Sequence, residues 1–244
     1  MAVFSGSVFS QELQMDTHLV VILPDEADGK PLRSLYLLHG FSDDCTSWQR
    51  KTRVEQYAKD KHLAIICPEA AHSFYLNMRY GQKYENYIRK ELVSICESMF
   101  NLSRKPKDRF IAGLSMGGYG ALHTCLTDPS RYAGCGCFSG VLDLSQMVST
   151  LTEADEWHSI LGKEIEITEE MDLYRLMDRL KRKKISTKFY VACGKEDFLY
   201  PQFKEWKKRV KDYPIEVINQ QWTGTHEWPF WDQCILKFLE LVVK

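Results

Sequence analysis

The sequence predicts an α/β protein whose mostly parallel sheet of about eight strands carries helices on both faces. Three observations point there. Short runs such as LAIIC (Leu63–Cys67) and FIAGL (Phe110–Leu114) are apolar at every position, the pattern of strands buried on both sides. These runs alternate with stretches of helical periodicity, which is the order of successive βα units. The 244 residues, 44% hydrophobic and 27% charged, have the composition of a globular chain long enough for a full core, and residues 1–244 are read as one domain.

Along the chain, Val3–Ser10 and Leu13–Leu23 read as strands, and the turn signal PDEADGKP (Pro24–Pro31) follows them. Ser34–Leu38 and Leu63–Cys67 are the next two strands, around a polar segment that ends in the helical VEQYAKDKH. Tyr84, Ile88, Leu92, Ile95 and Met99 share one face of a helix over Tyr84–Phe100. Four further strands lie at Arg109–Leu114, Ala133–Ser139, Lys188–Cys193 and Ile215–Asn219. The charged stretch Asp143–Lys184 carries Leu173, Leu176, Met177 and Leu180 at amphipathic spacing. It reads equally as a small cap over the carboxyl edge of the sheet or as an ordinary surface crossover. Pro201–Tyr213 is helical, and Trp231, Ile235, Phe238, Leu239 and Val242 mark a terminal amphipathic helix.

Several function classes are disfavoured at this level. With 32 basic and 33 acidic residues the net charge is −1, so no global field attracts nucleic acid. No run approaches 18 apolar residues, so no membrane span is expected. Met1–Ser10 has neither a basic n-region nor an apolar h-region and does not read as a signal peptide. The eight cysteines sit mostly inside apolar runs and form no Cys-x-x-Cys. They read as buried free thiols rather than metal ligands or disulfides, which suits a cytoplasmic protein.

Gly113-Leu114-Ser115-Met116-Gly117 matches Gly-x-Ser-x-Gly. The pentapeptide alone is only suggestive, and its context gives it weight. A buried strand precedes Ser115 and a glycine-rich helix follows it, as the strand–turn–helix of a nucleophile elbow requires. The helix start would aim its dipole and free N–H groups, that of Met116 first, at a developing oxyanion. His226, on the loop between the last strand and the last helix, is the candidate base. Asp197, at the end of the penultimate strand, is the candidate carboxylate that orients it, with Glu196 and Asp143 as rivals. The second oxyanion donor is expected after Leu38, at Phe41 or alternatively Gly40. His39 is read as structural near the site, and His18, His62, His123 and His158 as structural.

These segments together carry a family resemblance. LYLLHGFSDDCTSW, HSFYLNMRYGQKYENYI, IAGLSMGGYGAL, Ser139-Gly140 and GTHEWPFW resemble the esterase D-type group of α/β-hydrolases, nearest its tributyrin esterase and acetylesterase branch. The resemblance spans nearly the whole chain. It implies an α/β-hydrolase fold, hydrolysis of short-chain acyl esters, no cofactor, no metal and frequent homo-oligomers. The family's serine, acid and histidine fall on Ser115, Asp197 and His226. Related S-formylglutathione hydrolases usually carry histidines where this chain has Leu114 and Tyr119. A thioesterase of that kind, a feruloyl esterase and a catalytically silent binding protein are the alternative expectations.

Overall fold

The computed structural model describes residues 1–25, 29–150, 154–181, 183 and 185–243. Residues 26–28 of the expected turn and 151–153, 182 and 184 of the Asp143–Lys184 stretch lie outside them. The strands are β1 (Ala2–Ser10), β2 (Met15–Leu23), β3 (Arg33–Leu38), β4 (Leu63–Pro68), β5 (Arg109–Leu114), β6 (Gly134–Phe138), β7 (Lys188–Gly194) and β8 (Glu216–Trp222). They form one sheet in the order β1-β2-β4-β3-β5-β6-β7-β8. The six strands from β4 to β8 pair in parallel; β1 and β2 extend the sheet as an antiparallel hairpin.

Helices α1 (Ser47–Lys51), α2 (Val54–Asp60), α3 (Tyr84–Asn86), α4 (Leu92–Met99), α5 (Met116–Thr127), α6 (Leu144–Thr150), α7 (Ala154–Leu161), α8 (Leu173–Asp178), α9 (Tyr200–Arg209) and α10 (Trp228–Leu241) cover the sheet. Trp48 of α1, Val54 and Ala58 of α2, and Phe230 to Leu239 of α10 seal one face over Ile22, Leu35, Ile65 and Phe110. The other face buries Val21, Tyr36, Ile66 and Ile111 under α3 to α9. Burial on both sides explains why the central strands read as unbroken apolar runs. No described helix is long and apolar enough to cross a membrane.

Three boundaries differ from expectation. The stretch over Tyr84–Phe100 is helical but contains one wide turn at Tyr87–Glu91. Glu91 closes that turn and accepts hydrogen bonds from Ser10 Oγ and from the N–H groups of Gln11 and Glu12, fixing the β1–β2 corner. The second strand starts at Met15 because Gln14 takes a left-handed conformation (φ 54°). The last strand runs to Trp222 through a polar Asn-Gln-Gln run. It is an edge strand whose amides find partners at Trp206, Tyr190 and Lys207. In the Asp143–Lys184 stretch, Leu173, Leu176, Met177 and Leu180 are all buried. Asp172 caps α8 by accepting from the N–H groups of Tyr174 and Arg175.

All eight cysteines are buried with free thiols. Burial pushes the thiol pKa up to about 12 at Cys96 and Cys137, so these groups are held protonated.

The topology decides where chemistry sits. β3 has β4 on one side and β5 on the other, so the chain leaves β3 in one direction and returns on the opposite side. The loops after β3 and β5 therefore splay around a crevice at the carboxyl edge, where α/β sheets bind ligands. Those loops begin at His39 and Ser115.

Candidate active site

Ser115 links β5 to α5 in a strained backbone, φ 52° and ψ −118°. A non-glycine residue held this way costs about 1–3 kcal/mol and persists only where its surroundings over-determine it. Here its N–H donates to Phe138 O (2.9 Å), and its carbonyl accepts from Tyr119 N (3.1 Å). The flanking glycines are steric necessities. A Cβ on Gly113 would lie 2.3 Å from Gly117 O, and one on Gly117 would lie 2.5 Å from both Leu38 O and His39 O. The elbow thus closes against the end of β3 and presents Ser115 Oγ at the crevice.

Three side chains from separate loops form a continuous hydrogen-bonded line. His226 Nε2 lies 3.0 Å from Ser115 Oγ, and His226 Nδ1 lies 2.9 Å from Asp197 Oδ2. Asp197 is only 4% exposed, and its other oxygen accepts the Leu199 N–H at 2.9 Å. An ionised carboxylate only accepts, so it selects the Nδ1–H tautomer and leaves the Nε2 lone pair facing the serine hydroxyl. Phe198 lies against the imidazole (centroids 4.6 Å apart) and Trp231 meets it edge-on (4.9 Å), restraining the ring. Neither rival carboxylate is hydrogen-bonded to it. Glu196 accepts from Gly224 N, and Asp143 accepts from Gln146 at the start of α6.

The loop after β3 is held from behind. His39, 1% exposed, contacts Gly40 O through Nδ1 at 2.7 Å, while Ala70 N–H donates to its Nε2 at 3.0 Å. The contact with Gly40 places a proton on Nδ1, which donates to the Gly40 carbonyl. In a trans peptide the N–H points opposite to the C=O, so the same bond turns the Phe41 N–H away from His39. Gly40 and Phe41 both line the pocket containing Ser115. Met116 opens α5, where the first N–H groups have no intrahelical acceptor.

That pocket holds about 260 Å³ and is walled by Phe41, Phe74, Leu114, Met147, Phe198 and Trp231 around Ser115 and His226. A second recess of about 470 Å³ adjoins it, sharing Asp43 and lined also by Glu69, His72 and Glu156. Sequence reasoning does not identify Phe74, Met147, Phe198 and His72 as pocket residues, and it places Trp231 only on the face of the terminal helix. No motif marks them as pocket walls, although His72, Phe74 and Trp231 fall inside segments that carry the family resemblance. His123, read as structural, donates to the Glu170 carbonyl at 2.9 Å and stacks on Tyr119; burial lowers its pKa and keeps it neutral.

Glu69 anchors the loop beneath this site. Burial alone would raise its carboxyl, but the neighbouring His39 ring and hydrogen bonds from the Ala71 and Cys45 N–H groups outweigh that and hold it at about 2, against an ordinary 4.5. A pKa depressed by folding adds stability above the unfolded value that is lost as pH falls through the folded one. Denaturant melts should therefore show up to about 3 kcal/mol disappearing between about pH 4.5 and pH 2. Glu69→Gln should flatten that slope; an unchanged slope would remove Glu69 as its source.

The chain is 27% identical, over its full length and 99% of the relative, to an acetyl esterase of Caldicellulosiruptor saccharolyticus. It is 34% identical to FphF, a fluorophosphonate-binding serine hydrolase of Staphylococcus aureus, covering 100% of this chain and 98% of that one with a TM-score of 0.92. An S-formylglutathione hydrolase of the same organism is 33% identical, covering 100% and 99%, at a TM-score of 0.91. The Esterase family matches residues 10–239. An α/β-hydrolase sheet, serine hydrolase neighbours and a match across nearly the whole chain lead to one conclusion: the chain is a serine esterase belonging to the Esterase family.

Proposed function

We propose that the chain is a carboxylesterase for short-chain acyl esters, acetyl to butyryl, with Ser115 as nucleophile, His226 as base and Asp197 as orienting carboxylate. The observation that carries this reading is the unbroken Asp197–His226–Ser115 line opening into a small, largely apolar pocket. His226 Nε2 takes the hydroxyl proton as Ser115 Oγ attacks the ester carbonyl. The negative charge on the carbonyl oxygen is met by the N–H groups of Met116 and Phe41. Asp197 stabilises the imidazolium, which then gives its proton to the departing alcohol. Water, deprotonated by His226, attacks the acyl-enzyme, and Ser115 leaves with the proton returned. Acidification lowers kcat/KM in this scheme because a protonated imidazole cannot serve as the base.

A p-nitrophenyl ester series from acetate to octanoate tests the acyl range, with activity expected to fall steeply beyond butyrate. Comparable rates on octanoate would contradict a pocket of this size. The thioesterase alternative can be weighed on charge. Asp43, Glu69 and Glu156 line the two recesses, and the described lining residues include no lysine or arginine. Lys51 pairs with Asp43 at 2.7 Å, while Glu69 and Glu156, which contact histidines and not lysine or arginine, disfavour an anionic leaving group such as glutathione. For one acyl group, a neutral alcohol ester should be cleaved at least tenfold more efficiently than the glutathione thioester at low salt, with the gap narrowing as salt rises. A preference for the thioester would reverse this reading. Deacetylation of sugars fits a neutral, hydroxyl-rich leaving group.

We also propose a cytoplasmic homo-oligomer, with the Asp143–Lys184 stretch acting as a small cap over the site. The eight buried free thiols fit a reducing compartment. β1 is an edge strand without charge or proline and exposes Phe4 and Phe9, features that favour pairing with another copy. Met147 of α6 reaches the pocket wall, which supports the role of that stretch.

A further inference from the structure

Phe41 is gripped by its ring as well as by its backbone. The ring stacks on the His72 imidazole, with centroids 4.1 Å apart and 18° between planes, and meets Phe74 at 5.9 Å. Both of those rings are held in turn by α7. Glu156 Oε1 lies 2.6 Å from His72 Nδ1, and the next residue, Trp157, packs on Phe74 at 4.7 Å. Adjacent residues of one short helix thus brace the two rings that enclose Phe41.

We infer that His72, held by Glu156, is a positioning residue that sets the oxyanion donor by fixing the Phe41 ring. The inference rests on the reading of Phe41 N–H as that donor. An aromatic side chain has only two torsions, so a ring held by two others restrains its own Cα and the adjoining peptide. Donors stabilise a developing oxyanion only within about 2.7–3.1 Å, so small displacements of the peptide cost rate rather than binding. The His72 and Glu156 side chains are 51% and 35% exposed. A pair this open contributes little to global stability, so its replacement should leave the fold intact. The effect expected of it is geometric.

The test compares His72→Ala, His72→Phe and Glu156→Gln with wild type by three readouts: kcat and KM on p-nitrophenyl butyrate, affinity for an alkyl trifluoromethyl ketone, and Tm. The ketone forms a tetrahedral adduct with the serine and so reports on oxyanion stabilisation directly. For His72→Ala, kcat should fall tenfold or more and ketone affinity by a similar factor, while KM stays within twofold and Tm barely moves. His72→Phe, which keeps a stacking ring without the Glu156 bond, should recover most of kcat. Glu156→Gln should show a smaller loss than His72→Ala. Unchanged kcat in His72→Ala, a change in KM alone, or equal losses in the Ala and Phe variants would overturn the inference. His39→Ala separates the two levels. If it lowers ketone affinity and His72→Ala does not, the ring clamp fails while the donor reading stands. If neither variant lowers it, the donor reading itself fails.

Discussion

Ser115→Ala should lower kcat/KM on p-nitrophenyl butyrate by about 10⁵–10⁶-fold, the loss typical when the nucleophile of an interdependent serine–histidine–aspartate unit is removed. His226 and Asp197 then have nothing to activate, and only residual binding and oxyanion stabilisation remain. A variant retaining more than about a hundredth of wild-type activity would place the nucleophile elsewhere. The backbone of the same residue supplies a companion measurement. At φ 52° the alanine variant keeps the strain of the elbow, whereas Ser115→Gly releases it. The glycine variant should therefore be inactive and more stable than the alanine variant by about 1 kcal/mol. For a chain of this size that is a Tm higher by about 2–4 °C. Equal melting temperatures would mean that the conformation at Ser115 carries no strain.

The second large effect is expected at a residue that touches no substrate. His39→Ala removes the donor that holds the Gly40 carbonyl and so frees the Gly40–Phe41 peptide to rotate. Loss of one oxyanion donor costs about 10²–10³ in kcat. His39→Ala should approach that figure with KM little changed. His39→Asn can place an amide N–H near the position of Nδ1 and should recover part of the rate. Because His39 is buried, near-UV circular dichroism must first show that each variant keeps native packing. A folded His39→Ala with wild-type kcat would remove His39 from the mechanism.

Much of this arrangement was legible in the residue order because its determinants are local. The elbow is written in five consecutive residues, since the same glycines that permit the turn at Ser115 also allow contact with β3. His226 and Asp197 follow the carboxyl ends of successive strands, and the parallel sheet brings those ends to one edge. The sequence leaves the second oxyanion donor open between Phe41 and Gly40, because the direction of that peptide depends on His39 and on Ala70, 31 positions after it. The pocket walls were hidden for the same reason. Phe74, Met147, Phe198 and Trp231 come from four different segments, and none has a spacing relation to Ser115. The polar residues after Asn219 hide the end of β8, because an edge strand tolerates amides that a central strand would not.

The eight buried thiols have a practical side. A cysteine hydrolase is silenced by alkylating agents and by shifts in redox poise, but this reaction runs through a hydroxyl, and its thiols lie beneath the surface, with burial raising the pKa of those at Cys96 and Cys137. Maleimides should find no ready target on the native protein. One cysteine introduced on the exposed side of α7 would then be the sole reactive handle. A fluorophore placed there could follow the helix that braces Phe41 during turnover, without first stripping the native cysteines from the core.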